Sequence, residues 1–242
     1  MKTIFEQINN IPRRGCKDMW NAFMVKNAIF SDTADMPSFK STDSIPKILI
    51  GYDEAKRIHN LMKKTNPEYT VKAYVHFYID DNKFDGKCSS IWFYPLDAYE
   101  ILRHFSGIIT PDFSTNQDFP EPLKIYNTYR MRCFGYWLYS LGIPVIHNVR
   151  WGTEESWNYC FDGIAQGSNI CIGTVASSLN LLVNRKIFEA GLIEMTRRVQ
   201  PNTIMTYGSS NYSFFNSLRK SNIEIITFPS KTSCVYRKGG TV

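Results

Sequence analysis

Nothing in the 242 residues approaches the run of about 18 apolar residues that a membrane-spanning helix requires. The opening MKTIFEQINNIPRR also lacks the apolar centre of a signal peptide. These absences predict an intracellular protein with no membrane partner. Six cysteines (Cys16, Cys88, Cys133, Cys160, Cys171 and Cys234) include no C-x-x-C pair and no histidine at ligand spacing, which argues against a zinc site. In a reducing compartment they are expected as free thiols, several of them buried as small hydrophobes. Equally missing are the G-x-x-x-x-G-K-[ST] phosphate loop, G-x-G-x-x-G, G-x-S-x-G and H-E-x-x-H. The four histidines stand alone in the sequence. A net charge of +6 suits a phosphate-bearing partner as well as it suits an ordinary surface.

What is present is a rhythm. Hydrophobic residues make up 43% of the chain and aromatics 14%, enough to pack a globule. Short β-rich runs recur at 47–51 (KILIG), 71–79 (VKAYVHFYI), 107–110 (GIIT), 143–149 (IPVIHNV), 169–175 (NICIGTV), 203–207 (TIMTY) and 223–228 (IEIITF). Most gaps are the length of a βαβ unit. PLKIYNTYRMRCFGYWLYSLG opens with Pro122 in a first turn and stops at Gly142, as a helix does. RKIFEAGLIEMTRRVQP sets Ile187, Leu192, Met195 and Val199 along one stripe, and SFFNSLRKSN reads as a shorter helix. Strands alternating with helices imply an α/β fold with a parallel sheet. Seven strands fit a (β/α) barrel-like fold, closed or incomplete, with an open doubly wound sheet as the alternative. Residues 1–46, rich in Ser, Thr, Asp and Pro toward their end, form an N-terminal arm; 47–230 form the α/β domain; 231–242 form a basic C-terminal tail.

In parallel α/β folds ligands bind where strands end at their carboxyl side. Asp80 and Asp81 follow the second run, Asp112 and Ser114 the third, Asn148, Arg150 and Trp151 the fourth, and Ser209 the sixth. Asp112 is a candidate acid/base or Mg²⁺ ligand, and equally a turn-capping residue. Glu154 is a second candidate catalytic carboxylate, although Thr153 before Glu154 and Glu155 also reads as a plain helix start. Arg150 offers a donor fork to an anion and Trp151 a face for a flat ring. Arg130 interrupts the stripe Leu123, Tyr126, Phe134, Trp137, Leu141, with Asn127 one turn before it. A buried guanidinium there needs a partner, and Asp112 or Asp162 is expected, unless the side chain snorkels along the helix edge.

The segments FSGIITPDFS, KIYNTYRMR, GIPVIHNVRWGTEESWNYCFDGI, GSNICIGTV and IMTYG, together with GCKDMWNAFMVKNA near the start, resemble a bacterial and phage family known as a domain of unknown function. That resemblance covers roughly residues 70–210. It implies a home in bacteria or their mobile elements, hence the cytoplasm of a bacterial host cell, and directs interest to Asp112, Asn127, Arg130, Trp151 and Asp162. It implies no activity. The residues themselves suggest a strand-end pocket that binds or processes a nucleotide-like or phosphorylated ligand, with Asn127, Arg130, Asn148, Arg150, Trp151 and Ser209 as ligand-binding residues and Mg²⁺ as the candidate ion. The alternative is a non-catalytic nucleic-acid-binding accessory factor or a protein that sequesters its ligand.

Overall fold

A computed structural model describes residues 18, 20–175, 177–231 and 233. Most of the basic C-terminal tail lies outside them. Nine strands are present among the described residues. β1 (Ile29–Phe30) and β2 (Pro37–Ser38) form a small antiparallel pair. The other seven, β3 (Leu49–Gly51), β4 (Val71–His76), β5 (Phe105–Ile109), β6 (Val145–Asn148), β7 (Ile170–Gly173), β8 (Thr203–Tyr207) and β9 (Glu224–Phe228), form one parallel sheet. Its strands lie in simple sequence order and the sheet curls into a half-barrel. A doubly wound sheet would reverse its order near the middle, so the barrel-like expectation holds and the barrel is open.

Between the strands run α1 (Tyr52–Met62), α2 (Pro95–Leu102), α3 (Glu121–Ser140), α4 (Trp157–Cys160), α5 (Leu182–Val199) and α6 (Ser213–Lys220). Local chemistry sets their ends. Asp53 and Glu54 sit in the positive first turn of α1, and Pro95 opens α2. α3 gives way to Gly142 at φ +83°, and α5 stops on Gln200, left-handed at φ +50°, just before Pro201.

Period-two alternation divides the strands' side chains between two faces. Val75, Ile108, Val145, Ile170, Ile172 and Ile204 point to the convex side, where the helices cover them. Tyr74, Ile109, Ile146, Cys171 and Met205 fill the concave side, with Leu49 and Ile226 from the two outer strands packed against them. The curl is therefore filled by side chains rather than hollow.

The expected stripe on α3 is only half right. Leu123, Tyr126 and Leu141 are exposed, whereas residues 127–135 are buried without a break apart from Tyr129. The reason is a second cover. β6 packs on one side of α3, and β2 together with the 3-10 turn Ala22–Val25 packs on another. A helix buried on two sides shows no narrow amphipathic stripe. Residues 20–46 bring Met24, Val25, Ala28, Met36 and Phe39 into the core, and Phe39 bridges to Ile164. His147 is a buried residue of β6 whose Nδ1 has no hydrogen-bond partner among the described residues. It points outward, and its Nε2 donates to the Phe39 carbonyl at 3.0 Å. Cys88, Cys133, Cys160 and Cys171 are free thiols, the last three buried; Cys16 and Cys234 lie outside the described residues.

Candidate functional site

The carboxyl ends of β4, β5, β6, β7 and β8 open onto a cleft of about 740 Å³, a volume suited to a small-molecule ligand. Asn148, the last residue of β6, faces inward and is fully buried. Its Oδ1 accepts from the Tyr78 hydroxyl at 2.9 Å, and its Nδ2 donates to Asp112 Oδ1 at 2.7 Å. Arg150 Nη1 reaches the same Asp112 oxygen at 3.1 Å. Tyr78 stacks on Tyr207 at 4.9 Å, and its backbone N–H donates to Nδ1 of buried His76. Burial above all, with Cys171 and Asp112 adding, pushes the Tyr78 phenol far up, so it stays a hydrogen-bond donor. The floor of the cleft is thus a fixed relay running Tyr78, Asn148, Asp112, Arg150.

Asp112 accordingly does more than cap a turn. Its carboxylate is held through Oδ1 by both Asn148 and Arg150 and borders the cleft. Asp81, on the loop after β4, lines the same cleft and accepts from the Ser114 backbone N–H at 3.3 Å. Burial raises its pKa, the Ser114 bonds oppose that, and the Asp112 charge adds to it. A carboxyl so placed can exchange a proton with a ligand. Among the described residues no three His, Cys, Asp or Glu side chains come together as metal ligands. Asp81 and Asp112 are the candidate Mg²⁺ ligands at this cleft.

Trp151 is held in place by its neighbours. Its Nε1 donates to the Phe188 carbonyl at 3.2 Å, and its ring lies 4.9 Å from Phe188 and 5.9 Å from Phe161. It forms a wall between the main cleft and a smaller compartment of about 270 Å³. This wall exists because residue 191 has no side chain: a Cβ on Gly191 would come within 2.1 Å of Trp151 Cδ1. Gly191→Ala is expected to destabilise the protein by about 2 kcal/mol, the overpacking cost exceeding the roughly 1 kcal/mol that alanine gains in a helix. Chemical denaturation followed by tryptophan fluorescence measures both the loss and the displaced indole.

The other sequence candidates lie elsewhere. Arg130 does not meet Asp112 or Asp162. Its Nη1 pairs with Asp85 at 2.8 Å and its Nη2 with Asn127 Oδ1 at 2.7 Å, while the guanidinium lies 4.0 Å from the Phe113 ring. Sequence could not show this partner, because Asp85 sits in a turn-rich excursion that carries no periodicity. Asn127 also donates to the Ser114 carbonyl. Arg130 and Asn127 therefore clamp the Asp81 loop to the Asp112 loop instead of lining the cleft. Glu154 is exposed on a 3-10 turn and borders neither cavity. Ser209 is exposed and away from both; its hydroxyl accepts from the Asn211 backbone N–H, and α6 starts only at Ser213. Asp162 anchors the arm, accepting from Ser31 Oγ and the Ala34 N–H. Sequence reasoning passed over Tyr78 and Tyr207, although alternation from His76 and Met205 places both at strand ends. It also passed over Arg132, which is wholly buried.

Residues 29–229 match the sequence profile of DUF4417, a domain of unknown function. The chain belongs to this family. It is 29% identical over 181 residues to the Gene 1 protein of Mycobacterium phage L5, a match covering 74% of this chain and 72% of that one. It is 28% identical over 183 residues to the Gene 1 protein of Mycobacterium phage D29, covering 75% of this chain and 63% of that one. The chain thus spans just under two thirds of the second relative's length. No solved structure matches. This DUF4417 chain is phage-associated, as the resemblance implied, and no helix among its described residues is long and apolar enough to cross a membrane. The motifs that carry the resemblance divide by role. PDFS carries Asp112 to the cleft, NTYR clamps two cleft loops, and CFDG ties the arm to the barrel.

Proposed function

We propose that this DUF4417 domain binds a nucleotide-like or phosphorylated small molecule in its strand-end cleft, in the cytoplasm of a bacterial host. One observation carries the reading. Arg150 stands at the cleft with one nitrogen anchored on Asp112 at 3.1 Å, and the guanidinium makes no other hydrogen bond to the described residues. Its remaining donors are oriented in advance for an anionic oxygen. Asp112 is the group to hold that orientation and, if the ligand is processed rather than captured, to move a proton with Asp81 beside it.

A nucleotide panel in a thermal-shift assay tests this, with mass spectrometry of the recovered ligand. Phosphorylated members should raise the melting temperature. Asp112→Asn should weaken binding at least tenfold, about 1.4 kcal/mol, while the protein stays folded. Altered ligand mass marks an enzyme and unaltered mass a binder. A panel in which no phosphorylated compound shifts the melting temperature defeats the reading. Affinity for nucleic acid alone, falling steeply with salt, would put the accessory-factor reading in its place.

A further inference from the structure

The two cavities that meet at Trp151 differ in charge. Among the described residues, the main cleft is bordered by Asp80, Asp81 and Asp112 against the single cation Arg150. The smaller compartment is bordered by Arg150 and Lys124 against the single carboxylate Glu121. Lys124 Nζ pairs with Glu121 at 3.2 Å and has two further N–H groups. Asp112 stands behind Arg150 and does not line this compartment, and Glu155 lies outside it on the exposed turn. An anion entering the joint site meets repulsion on one side of Trp151 and two cations on the other.

The donors of the smaller compartment are also open. Thr115 and Gln117 line it and make no side-chain hydrogen bond to the described residues. Thr128, Thr153 and Ser156 are already engaged: Thr128 Oγ1 with the Lys124 carbonyl, Ser156 Oγ with the Thr153 carbonyl, and the Thr153 side chain with Glu155. Two cations, a free hydroxyl and a free amide around about 270 Å³ match a tetrahedral oxyanion, not a large apolar group.

We infer that the compartment formed by Thr115, Gln117, Lys124 and Arg150 is a phosphate-monoester subsite, with the rest of the ligand lying across Trp151 in the acidic main cleft. This rests on the reading above and sharpens it. The phosphate is bound at Arg150 and Lys124. The aspartates of the larger cleft face hydrogen-bond donors of the ligand's body, such as hydroxyls or amino groups. Lys124 is then the residue that separates a phosphorylated ligand from its unphosphorylated parent.

The experiment uses the full chain, labelled for amide NMR, with AMP, adenosine and inorganic phosphate as probes. AMP and phosphate should each shift the amides of Gly152, Thr153 and Ser156, which border only the smaller compartment, and adenosine should leave them in place. Lys124→Met should weaken AMP about tenfold without changing adenosine binding, and Lys124→Arg should restore it. If AMP moves Tyr78 and Gly173 while Lys124→Met binds it as well as the parent protein does, the subsite is wrong and the cleft reading survives. If no probe moves either set of amides, both fall. Should Lys124→Met lose its fold, the phosphate-induced amide shifts in the unmodified protein decide the matter alone.

Discussion

Arg132→Met is expected to lower the stability of the protein by about 4 kcal/mol. The Arg132 guanidinium is almost fully buried, with no carboxylate in contact. It is bound instead by three backbone carbonyls: Asp162 O from Nε at 3.1 Å, Asn148 O from Nη1 at 3.3 Å and Cys160 O from Nη2 at 2.7 Å. Burial pushes its pKa down to about 10, which leaves it charged at neutral pH. Hydrogen bonds to a charged group are worth roughly 1.5–3 kcal/mol each, and methionine can make none of them. Relief of the buried charge offsets part of that loss, since well-packed hydrophobes often replace buried ions without penalty. Here, however, the carbonyls remain buried with nothing to bind. Urea denaturation should show the midpoint falling with the slope unchanged. Arg132→Lys, which keeps the charge but cannot span three acceptors, should fall between. A loss under about 1 kcal/mol for methionine would mean that water satisfies the carbonyls. The three carbonyls belong to the segments that carry Asn148 and the CFDG motif, so the same variant should also loosen the cleft floor.

Acidification from pH 7 to pH 5 is expected to cost about 3–4 kcal/mol through two histidines. Burial, with Arg132 nearby as the second cause and the Phe39 bond opposing, holds His147 down to about 3. Burial, then Lys231, with Asp53 opposing, holds His76 down to about 4. A solvated imidazole titrates near 6.5. Between 6.5 and 4 the unfolded chain therefore binds protons that the folded protein refuses, and stability rises with pH across that window. Each histidine contributes up to about 1.4 kcal/mol per pH unit. Guanidinium titrations at pH 7, 6 and 5 measure the slope, and His147→Gln should remove about half of it. A flat profile over this range would show that the histidines take up protons in the folded state.

Much of the fold could be read from residues. All seven β-rich runs became strands, because alternation and βαβ spacing are local properties that the chain carries in one dimension. The helix over α3 was legible at both ends from Pro122 and Gly142. Its buried face was not, because the second layer over it comes from residues about a hundred positions earlier. Strand order was also beyond reach: barrel and doubly wound sheet share the same periodicity and differ only in which strands become neighbours. In the site, reading off the residues just past each strand brought Asp112, Asn148, Arg150 and Trp151 to one place. It failed for Glu154 and Ser209, whose loops turn outward; the partner of Arg130 escaped the reading of the α3 stripe because Asp85 lies 45 residues away. Tyr78 and Tyr207 look like ordinary strand aromatics until the curl of the sheet brings them face to face.

The tie between Phe39 and the strands has a consequence for how the protein is made. The Phe39 carbonyl waits for His147, 108 residues later, and the bridge from Phe39 to Ile164 needs a longer stretch still. During synthesis Met24, Val25, Met36 and Phe39 leave the ribosome well before the surface that covers them exists. Contacts this distant along the chain slow folding and leave apolar side chains open to wrong partners. The nascent chain must carry that exposed segment until Ile164 has emerged, which is the interval in which a chaperone would find it.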